Sequence, residues 1–378
     1  MRNELFLFVF FLVSVFADAQ FTVRLVVTDV ATRKQDDIYV TGNFNSWNPK
    51  DDTYKLKVFG GSRKSVVIND LSAGTYAFKF TRGGFDKVET TNDGRDLNDR
   101  IFEVSADMSV DLTIVGWKDD YPDKPKRYSA SPQVKIMDTA FAITQLNRTR
   151  RIWLYLPKNY AVSGKTYPVI YLNDGQNLFN EQTAAYGEWG VDECLDSLQK
   201  QIGKEVIIVG IDHGGHKRMN EYNPYDHIQY GKGEGMQYAS FLVTTLKPFI
   251  DRKYRTMKGP EYTFIGGSSM GGDISLYTVL QYPNVFGGAL IFSPAFWVTP
   301  DLYDFAEKFN STTIPKLYFY AGGKESATMV LDLKKMTDIL AKKSRIQIRT
   351  VVSPLGQHNE ASWRSEFPDA YKWITKDF

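Results

Sequence analysis

Hydrophobic and polar positions follow two different rhythms along the chain. Up to about residue 117, short stretches alternate apolar and polar residues and are separated by turns rich in Gly, Asn, Asp and Pro. A period of two residues is typical of strands that bury one face. The stretches in which this period is clearest are 21–27, 38–42, 65–68 and 76–80. Residues 20–118 are therefore predicted to form an all-β, immunoglobulin-like sandwich.

A second rhythm follows residues 119–130, a charged, proline-bearing segment without periodicity that is predicted to be a linker. From there on, continuous apolar stretches alternate with amphipathic ones. The predicted strands include 151–157, 167–173 and 205–211, and the predicted helices are 191–200, 236–250, 273–281 and 329–343. This alternation is typical of a mostly parallel sheet covered by helices on both faces. Residues 131–378 are therefore predicted to form an α/β domain.

The composition narrows the class of protein. The 378 residues are 43% hydrophobic, which is enough for a sizeable core. The 46 Lys and Arg residues against 44 Asp and Glu leave a net charge of +2, and no block of like charge stands out. This balance argues against a nucleic-acid partner. The single cysteine, Cys194, excludes a disulfide within the chain.

Residues 1–19 have the layout of a secretory signal peptide. Arg2 precedes an apolar run at 5–16, and Ala17 and Ala19 form an A-x-A cleavage site. The run is shorter than the roughly 20 apolar residues of a spanning helix, and no other segment is long enough to span a bilayer. The protein is therefore expected to be exported to the periplasm or the exterior, without a membrane span.

The candidate chemistry centres on Gly267-x-Ser269-x-Gly271, which joins a predicted strand to a predicted helix. This is the pattern of a nucleophile elbow. A serine on such a strained turn brings its backbone close to neighbouring elements, so a Cβ two residues to either side would clash. Ser269 is therefore the candidate nucleophile.

A serine hydrolase of this type needs its nucleophile, acid and histidine in that chain order. The chain has four histidines, and only His358 follows Ser269. It lies just after the predicted strand 346–352, where a loop can present it to the serine. His358 is therefore the candidate general base.

The acid should follow the preceding strand, predicted at 316–320. The first carboxylate after that strand is Glu325, which would hold the imidazole tautomer and stabilise the imidazolium. Position at the strand end favours Glu325. The alternatives that the pattern leaves open are Asp301, Asp304 and Asp332.

The oxyanion formed on attack needs two fixed N–H donors. The amide of Met270, directly after the candidate nucleophile, is the first. The second should come from the loop after the strand 167–173, where Gly175 allows a sharp turn and the amide of Gln176 follows. Met270 and Gln176 are therefore the candidate oxyanion donors.

Five motifs together resemble the esterase D and enterochelin-esterase group of α/β-hydrolases, over about residues 148–378. They lie at 171–179, 209–212, 246–251, 266–272 and 356–360. The resemblance implies an α/β-hydrolase fold, a Ser269–Glu325–His358 triad and oxyanion amides at Met270 and Gln176. The group includes acetyl and feruloyl esterases of plant polysaccharides, siderophore esterases and mycolyltransferases.

Residues 43–49 and 73–80 resemble the two motifs of starch- and glycogen-binding modules of the early-set sandwich type. The resemblance implies glycan contact through Trp47, Lys79 and Phe85, although the second aromatic position is often Trp in those modules. Many sandwiches of this kind are only spacers beside a catalytic domain, which is the alternative.

Four aromatic residues fall in segments that resemble loops above the carboxyl ends of strands: Trp189, Tyr222, Trp297 and Trp363. They are candidates for a substrate pocket, with core packing as the alternative for each. Residues 212–216 contain an aspartate and two histidines but no third partner with metal spacing, so no metal is expected. No cofactor is expected either.

The combined prediction is an exported serine esterase that cleaves acetyl or feruloyl esters on polysaccharide through an acyl-enzyme. A siderophore trilactone esterase is the alternative enzyme, and Lys217 with Arg218 is the one hint of a basic patch for an anionic chelate. A catalytically silent glycan-binding protein is the alternative from another class.

Overall fold

The computed structural model describes residues 20–121, 126–343 and 346–378. The predicted signal peptide at 1–19 and residues 122–125 of the predicted linker lie outside these ranges. The chain divides into two units, Met1–Pro125 and Lys126–Phe378.

The first unit is a sandwich of two sheets that share one core. Its strands are β1 (Phe21–Val30), β2 (Tyr39–Gly42), β3 (Lys57–Val58), β4 (Lys64–Leu71), β5 (Gly74–Thr81), β6 (Arg100–Val104) and β7 (Met108–Ile114). One sheet has the order β3-β4-β1-β7 and the other β2-β5-β6. All pairs are antiparallel except β1 with β7. The core between the sheets includes Leu25, Val40, Ile68 and Phe80, so the predicted all-β sandwich is confirmed.

The second unit contains one sheet of eight strands. They are β8 (Val134–Ile143), β9 (Arg148–Tyr155), β10 (Val169–Asn173), β11 (Ile207–Ile211), β12 (Thr263–Ser268), β13 (Gly288–Phe292), β14 (Lys316–Gly322) and β15 (Gln347–Ser353). Their order is β15-β14-β13-β12-β10-β11-β9-β8. The six strands from β15 to β11 are parallel to one another. β9 pairs antiparallel with β11, and β8 pairs antiparallel with β9.

In the described residues of the second unit, eight α-helices accompany this sheet. They are α1 (Val191–Ile202), α2 (Arg218–Glu221), α3 (Gly235–Phe241), α4 (Lys247–Lys253), α5 (Met270–Gln281), α6 (Asp301–Lys308), α7 (Met329–Ala341) and α8 (Glu360–Ile374). A π-helical stretch, Leu242–Leu246, joins α3 to α4, so the single helix predicted over 236–250 is three segments. In the part of the chain that the structure describes, no helix is long and apolar enough to cross a membrane.

The helices cover both faces of the sheet. Val169 and Tyr171 of β10 pack into one core with α3, α5, α6 and α7, whereas Ile170 and Leu172 pack into another with α1 and α8. Strands buried on both faces need apolar residues throughout, which explains why β10 to β14 lack alternation. The predicted α/β-hydrolase architecture is confirmed.

Cys194 lies on α1 and is half-buried in the core beside α8. Burial raises the pKa of its thiol to about 12. The thiol is therefore protonated at neutral pH, because burial outweighs the nearby Lys372 ammonium, which acts to lower its pKa.

Candidate active site

Ser269 occupies the turn between β12 and α5. Its backbone angles, φ 55° and ψ −130°, are unusual for a residue with a side chain. The turn is held by its neighbours, because the Ser269 amide donates to the carbonyl of Phe292 at 2.9 Å and the Ser269 carbonyl accepts from the amide of Gly272 at 2.8 Å. The surrounding strand and helix thus fix the strained serine, whose side chain is partly exposed.

The two flanking glycines are needed for space. A Cβ on Gly267 would lie 2.9 Å from the backbone carbon and oxygen of Gly271. A Cβ on Gly271 would lie 3.0 Å from Oδ2 of Asp174 and 3.3 Å from Cβ of Asn173. Backbone atoms cannot rotate away as side chains do, so the close approach of β12 and α5 depends on Gly267, whereas Gly271 lies against side-chain atoms of the turn after β10.

Glu325 and His358 form a direct pair across the loops after β14 and β15. His358 Nδ1 lies 2.7 Å from Glu325 Oε2. The carboxylate is buried, with 1% of its side chain exposed, whereas the imidazole is 39% exposed. Among the residues the structure describes, Glu325 is the one carboxylate that pairs with His358. The alternatives Asp301 and Asp304 lie on α6, and Asp332 lies on α7.

Three further residues hold this pair, in roles that were not foreseen from the sequence. The Ser293 hydroxyl donates to Glu325 Oε1 at 2.6 Å and accepts from the indole N–H of Trp363 at 2.8 Å. The amide of Gly322 also donates to Glu325 Oε1. The Trp363 ring in turn lies edge-on to the His358 imidazole, with 5.2 Å between the ring centroids. Ser293 directly follows β13, and its backbone is left-handed, with a φ of 46°.

The two candidate oxyanion amides lie at the carboxyl ends of neighbouring strands. Met270 begins α5 after β12, and Gln176 lies in a 3₁₀ turn, Gly175–Asn177, after β10. β10 and β12 are adjacent and parallel. Within the three ranges that the structure covers, neither amide donates to a protein acceptor. Both N–H groups are therefore available to an external oxygen.

Several carboxyl groups near the site are buried. Burial raises the pKa of Glu360, in the first turn of α8, to about 7. Burial also raises the pKa of Asp273, in the first turn of α5, to about 7, although Thr299 donates to it at 2.8 Å. Glu360 accepts from the side-chain amide of Asn177 at 3.5 Å.

The four aromatic candidates for a substrate pocket divide into two groups. Tyr222 is fully buried and Trp189 is 3% exposed, and both pack in the core rather than on a surface that a substrate can reach. Trp363 is also buried and supports Ser293. Core packing, the alternative for each of these residues, is therefore what the structure shows for these three, and their pocket role stays a prediction. Trp297, after β13, is 60% exposed.

The residues of the first unit that were expected to contact glycan are differently placed. Trp47 is partly exposed and has a left-handed backbone, with φ 57°, and Phe85 is exposed. The Lys79 ammonium donates to the carbonyl of Leu97 and lies 3.3 Å from Asp99. Lys79 is therefore occupied by protein acceptors.

Polar groups of Asp212 and His213, in the segment 212–216, are hydrogen-bonded to other groups of the protein. Asp212 accepts from Arg151 at 2.8 Å and from the indole of Trp153 at 2.7 Å. His213 Nδ1 accepts from the amide of Gly215 at 2.9 Å. In the described ranges, no group of three or more His, Cys, Asp or Glu residues has the arrangement of a metal site.

Comparison with known proteins assigns the second unit. Residues 143–374 match the model of the family described as "Putative esterase". The protein YjcH of Bacillus subtilis is 30% identical over 204 residues, which cover 52% of this chain and 76% of that protein. The iron(III) enterobactin esterase of Dickeya dadantii is 25% identical over 250 residues, covering 61% of this chain and 52% of the esterase. Another relative, YbbA of Bacillus subtilis, is matched over 58% of its length.

An α-amylase of Niallia circulans is 35% identical over 83 residues, which are 22% of this chain and 6% of the amylase.

Solved structures share the fold. The enterobactin esterase of Shigella flexneri has a TM-score of 0.53 at 15% identity, covering 90% of this chain and 88% of its own. A ferulic acid esterase has a TM-score of 0.52 at 21% identity, and the match covers 65% of this chain and 100% of the ferulic acid esterase. The BES protein of Bacillus cereus has a TM-score of 0.56 at 19% identity, and the match covers 67% of this chain and 99% of the BES protein. These likenesses show that the second unit has the α/β-hydrolase fold, and the family match over residues 143–374 shows that the chain belongs to the putative esterase family.

Proposed function

We propose that this protein is an exported serine esterase in which Ser269 is the nucleophile, His358 the general base and Glu325 the acid. The observation that carries the proposal is the buried Glu325 carboxylate 2.7 Å from His358 Nδ1, on the loops after β14 and β15, at the same sheet edge as the Ser269 turn after β12. Hydrogen bonding at Nδ1 puts the proton on that nitrogen and leaves Nε2 free to accept from a serine hydroxyl. Export rests on the layout of residues 1–19.

In the proposed reaction, Ser269 Oγ attacks the ester carbonyl carbon while His358 Nε2 takes the hydroxyl proton. The carbonyl oxygen becomes an oxyanion, which the amides of Met270 and Gln176 bind. The C–O bond to the alcohol then breaks, and His358 returns the proton to the leaving alkoxide. Water, deprotonated by His358, attacks the acyl-enzyme, and the same steps release the carboxylic acid and Ser269.

We further propose that the substrates are neutral acyl esters of polysaccharide, such as acetyl or feruloyl esters. The charges around the site support an uncharged substrate, because the Arg218 guanidinium is paired with Asp174 and Arg364 donates to the carbonyl of Glu188. Two exposed aromatic side chains, Tyr186 and Trp297, lie on loops after β10 and β13 and offer faces on which a sugar or feruloyl ring can stack. We propose that the first unit adds glycan contact through Trp47 and Phe85.

The similarity to an iron(III) enterobactin esterase favours a second candidate, hydrolysis of an iron-chelating trilactone. Trilactone chelates of iron are anionic, and the pairing of Arg218 leaves less free positive charge for them at the site.

The enzymatic assignment is tested with 4-nitrophenyl acetate and Ser269→Ala. We expect this substitution to lower kcat at least about 1,000-fold, and a fluorophosphonate to label the natural protein but not the variant. Ser197→Ala, on the exposed side of α1, is the matched control and should retain full activity. Equal hydrolysis by the natural protein and Ser269→Ala would overturn the assignment of Ser269, and no hydrolysis above background by the natural protein would make a catalytically silent glycan-binding protein the better hypothesis.

The substrate class is tested by comparing acetylated and feruloylated oligosaccharides with an iron-loaded trilactone. We expect the oligosaccharides to be preferred, and Trp297→Ala to raise their KM about tenfold with little change for 4-nitrophenyl acetate. Leu331→Ala removes an equally exposed side chain on α7 and serves as the control. Preferred hydrolysis of the trilactone would contradict the polysaccharide assignment. Affinity electrophoresis of Trp47→Ala in starch, glycogen and xylan gels tests the first unit separately.

A further inference from the structure

A part-buried ion pair links the turn that presents the Gln176 amide to the nucleophile elbow. Asp174 opens this turn with a left-handed backbone, φ 58° and ψ 44°, which is uncommon for a residue other than glycine. Both of its carboxylate oxygens accept from Arg218, Oδ1 from Nε at 2.7 Å and Oδ2 from Nη2 at 2.9 Å. Its amide donates to the Tyr222 hydroxyl at 3.2 Å.

The same guanidinium reaches the nucleophile elbow. Arg218 Nη2 also lies 3.4 Å from the carbonyl oxygen of Ser268, the residue before the nucleophile. Asp174 Oδ2 lies against the other side of the elbow, 3.0 Å from where a Cβ on Gly271 would be. One arginine thus bridges the end of β10 to the end of β12, the two strands that carry the candidate oxyanion amides.

Arg218 is itself fixed from outside the site. It begins α2, and Glu221 at the end of that helix pairs with Arg148 at 2.8 Å and with Arg150 at 2.6 Å, both on β9. The Arg218 guanidinium also lies over the ring of Tyr222, 5.1 Å from its centroid. The position of Arg218 is therefore set by the sheet, and a planar guanidinium fork can hold a carboxylate in one orientation.

The charge of Asp174 would otherwise oppose catalysis. A buried carboxylate beside the first turn of α5 would repel the negative charge that develops on the substrate oxygen, and a protein interior screens that repulsion weakly. The positive charge of the Arg218 guanidinium, which contacts both carboxylate oxygens, neutralises the negative charge of Asp174. Asp174 therefore supplies the acceptor that anchors the turn, and Arg218 makes that acceptor electrostatically harmless.

We propose that Asp174 and Arg218 are a positioning pair for the oxyanion hole. They hold the Gln176 amide in register with the Met270 amide and keep net negative charge away from the oxyanion. Neither side chain is assigned contact with the substrate. The inference rests on the proposed esterase function, and it adds to that function a role that the triad does not fill.

The test uses the full-length protein and 4-nitrophenyl acetate. We expect Arg218→Met to lower kcat about 100-fold, the loss typical of one oxyanion donor, with KM changed less than threefold. Inhibition by phenylboronic acid, which forms a tetrahedral anion on the serine, should weaken by a similar factor. The double variant Asp174→Asn/Arg218→Met should recover about tenfold of the lost kcat, because it removes the uncompensated charge.

Lys247→Met is the control. It removes the cation of another largely buried ion pair, Lys247–Asp251, which lies near the amino end of β10 and away from the candidate site, so this variant should keep the natural kcat. If Arg218→Met does not fold, Arg218→Lys keeps the charge without the fork and should lower kcat about tenfold. An unchanged kcat and boronate affinity in the folded Arg218 variant would overturn the proposal, as would a double variant no more active than Arg218→Met. Full activity of Ser269→Ala would instead overturn the esterase assignment on which it rests.

Discussion

The two sides of the candidate site are built by different means. On one side, the Ser269 elbow is fixed by backbone contacts, with Gly267 too close to the Gly271 backbone to carry a Cβ. On the other side, Glu325 and His358 are fixed by side-chain hydrogen bonds, from Ser293 to Glu325 and from Glu325 to His358.

The difference teaches which part of the site belongs to the fold. Backbone packing at the elbow also joins β12 to α5, so a change there disturbs both folding and chemistry. The acid and base lie on loops that leave β14 and β15, and their contacts can be removed while the sheet remains intact. We therefore expect changes at Glu325 and His358 themselves to affect rate with little change in stability, and changes at the elbow to affect both rate and stability.

The largest loss of rate is expected from Glu325→Gln. The amide cannot stabilise the imidazolium and can hold the wrong tautomer, so kcat for 4-nitrophenyl acetate should fall about 10,000-fold. The free energy of unfolding should change by less than about 1 kcal/mol, because the side chain keeps its size. Asp332→Asn, at the alternative acid on α7, should be as active as the natural protein, and the reverse result would make Asp332 the better acid.

Gly267→Ala should lower kcat about 100-fold, because a new Cβ 2.9 Å from the Gly271 backbone displaces the first turn of α5. Unlike Glu325→Gln, it should also lower the free energy of unfolding by about 1–3 kcal/mol, the usual cost of overpacking. Urea denaturation measures the second effect. Gly164→Ala, where a Cβ meets nothing within 4 Å, is the control. Unchanged stability in Gly267→Ala would break the contrast between the two sides.

Ser293→Ala should give a smaller loss on the acid–base side. It removes one donor to Glu325 and leaves the Trp363 indole N–H without its acceptor. We expect kcat to fall about tenfold through misorientation of Glu325, and stability to fall by about 1–2 kcal/mol. Ser293→Thr keeps the hydroxyl and should recover part of the rate. A rate equal to the natural one in Ser293→Ala would show that Gly322 and His358 suffice to orient the carboxylate.

The smallest effect on rate is expected from Glu360→Gln, whose signature is pH-dependent stability. Burial raises the pKa of Glu360 to about 7 from an ordinary value near 4.5. Between these values the folded state binds more protons than the unfolded state, so the free energy of unfolding falls as pH rises. The free energy of unfolding of the variant should equal that of the natural protein near pH 4.5 and exceed it by up to about 3 kcal/mol at pH 8. Thermal melts at both pH values decide this, with exposed Glu261→Gln as the control.

Sequence patterns were sufficient for the architecture and for residues that lie at strand ends. Continuous apolar strands and the GxSxG motif located the sheet and the elbow, and strand-end position brought Glu325 and His358 together. Helix boundaries were less accurate. The helix predicted from residue 273 begins at Met270, because the glycines of the elbow already belong to its first turn.

The supporting contacts could not be predicted, because they join distant positions on different strands. Ser293 meets Glu325 across 32 residues and Trp363 across 70. Arg218 looked like part of a basic patch with Lys217, whereas its charge is cancelled by Asp174, 44 residues earlier in the chain. Sequence position alone also does not distinguish an exposed loop aromatic such as Trp297 from a buried one such as Tyr222.

The half-buried thiol of Cys194 has a practical consequence for spectroscopy. With a pKa of about 12, it carries almost no thiolate at pH 7.5, the form that reacts with maleimides. A cysteine introduced at an exposed position such as Tyr186 would therefore accept a fluorophore or spin label selectively, without first replacing Cys194. The natural chain is in this sense already a single-site labelling background for following loop motion during turnover.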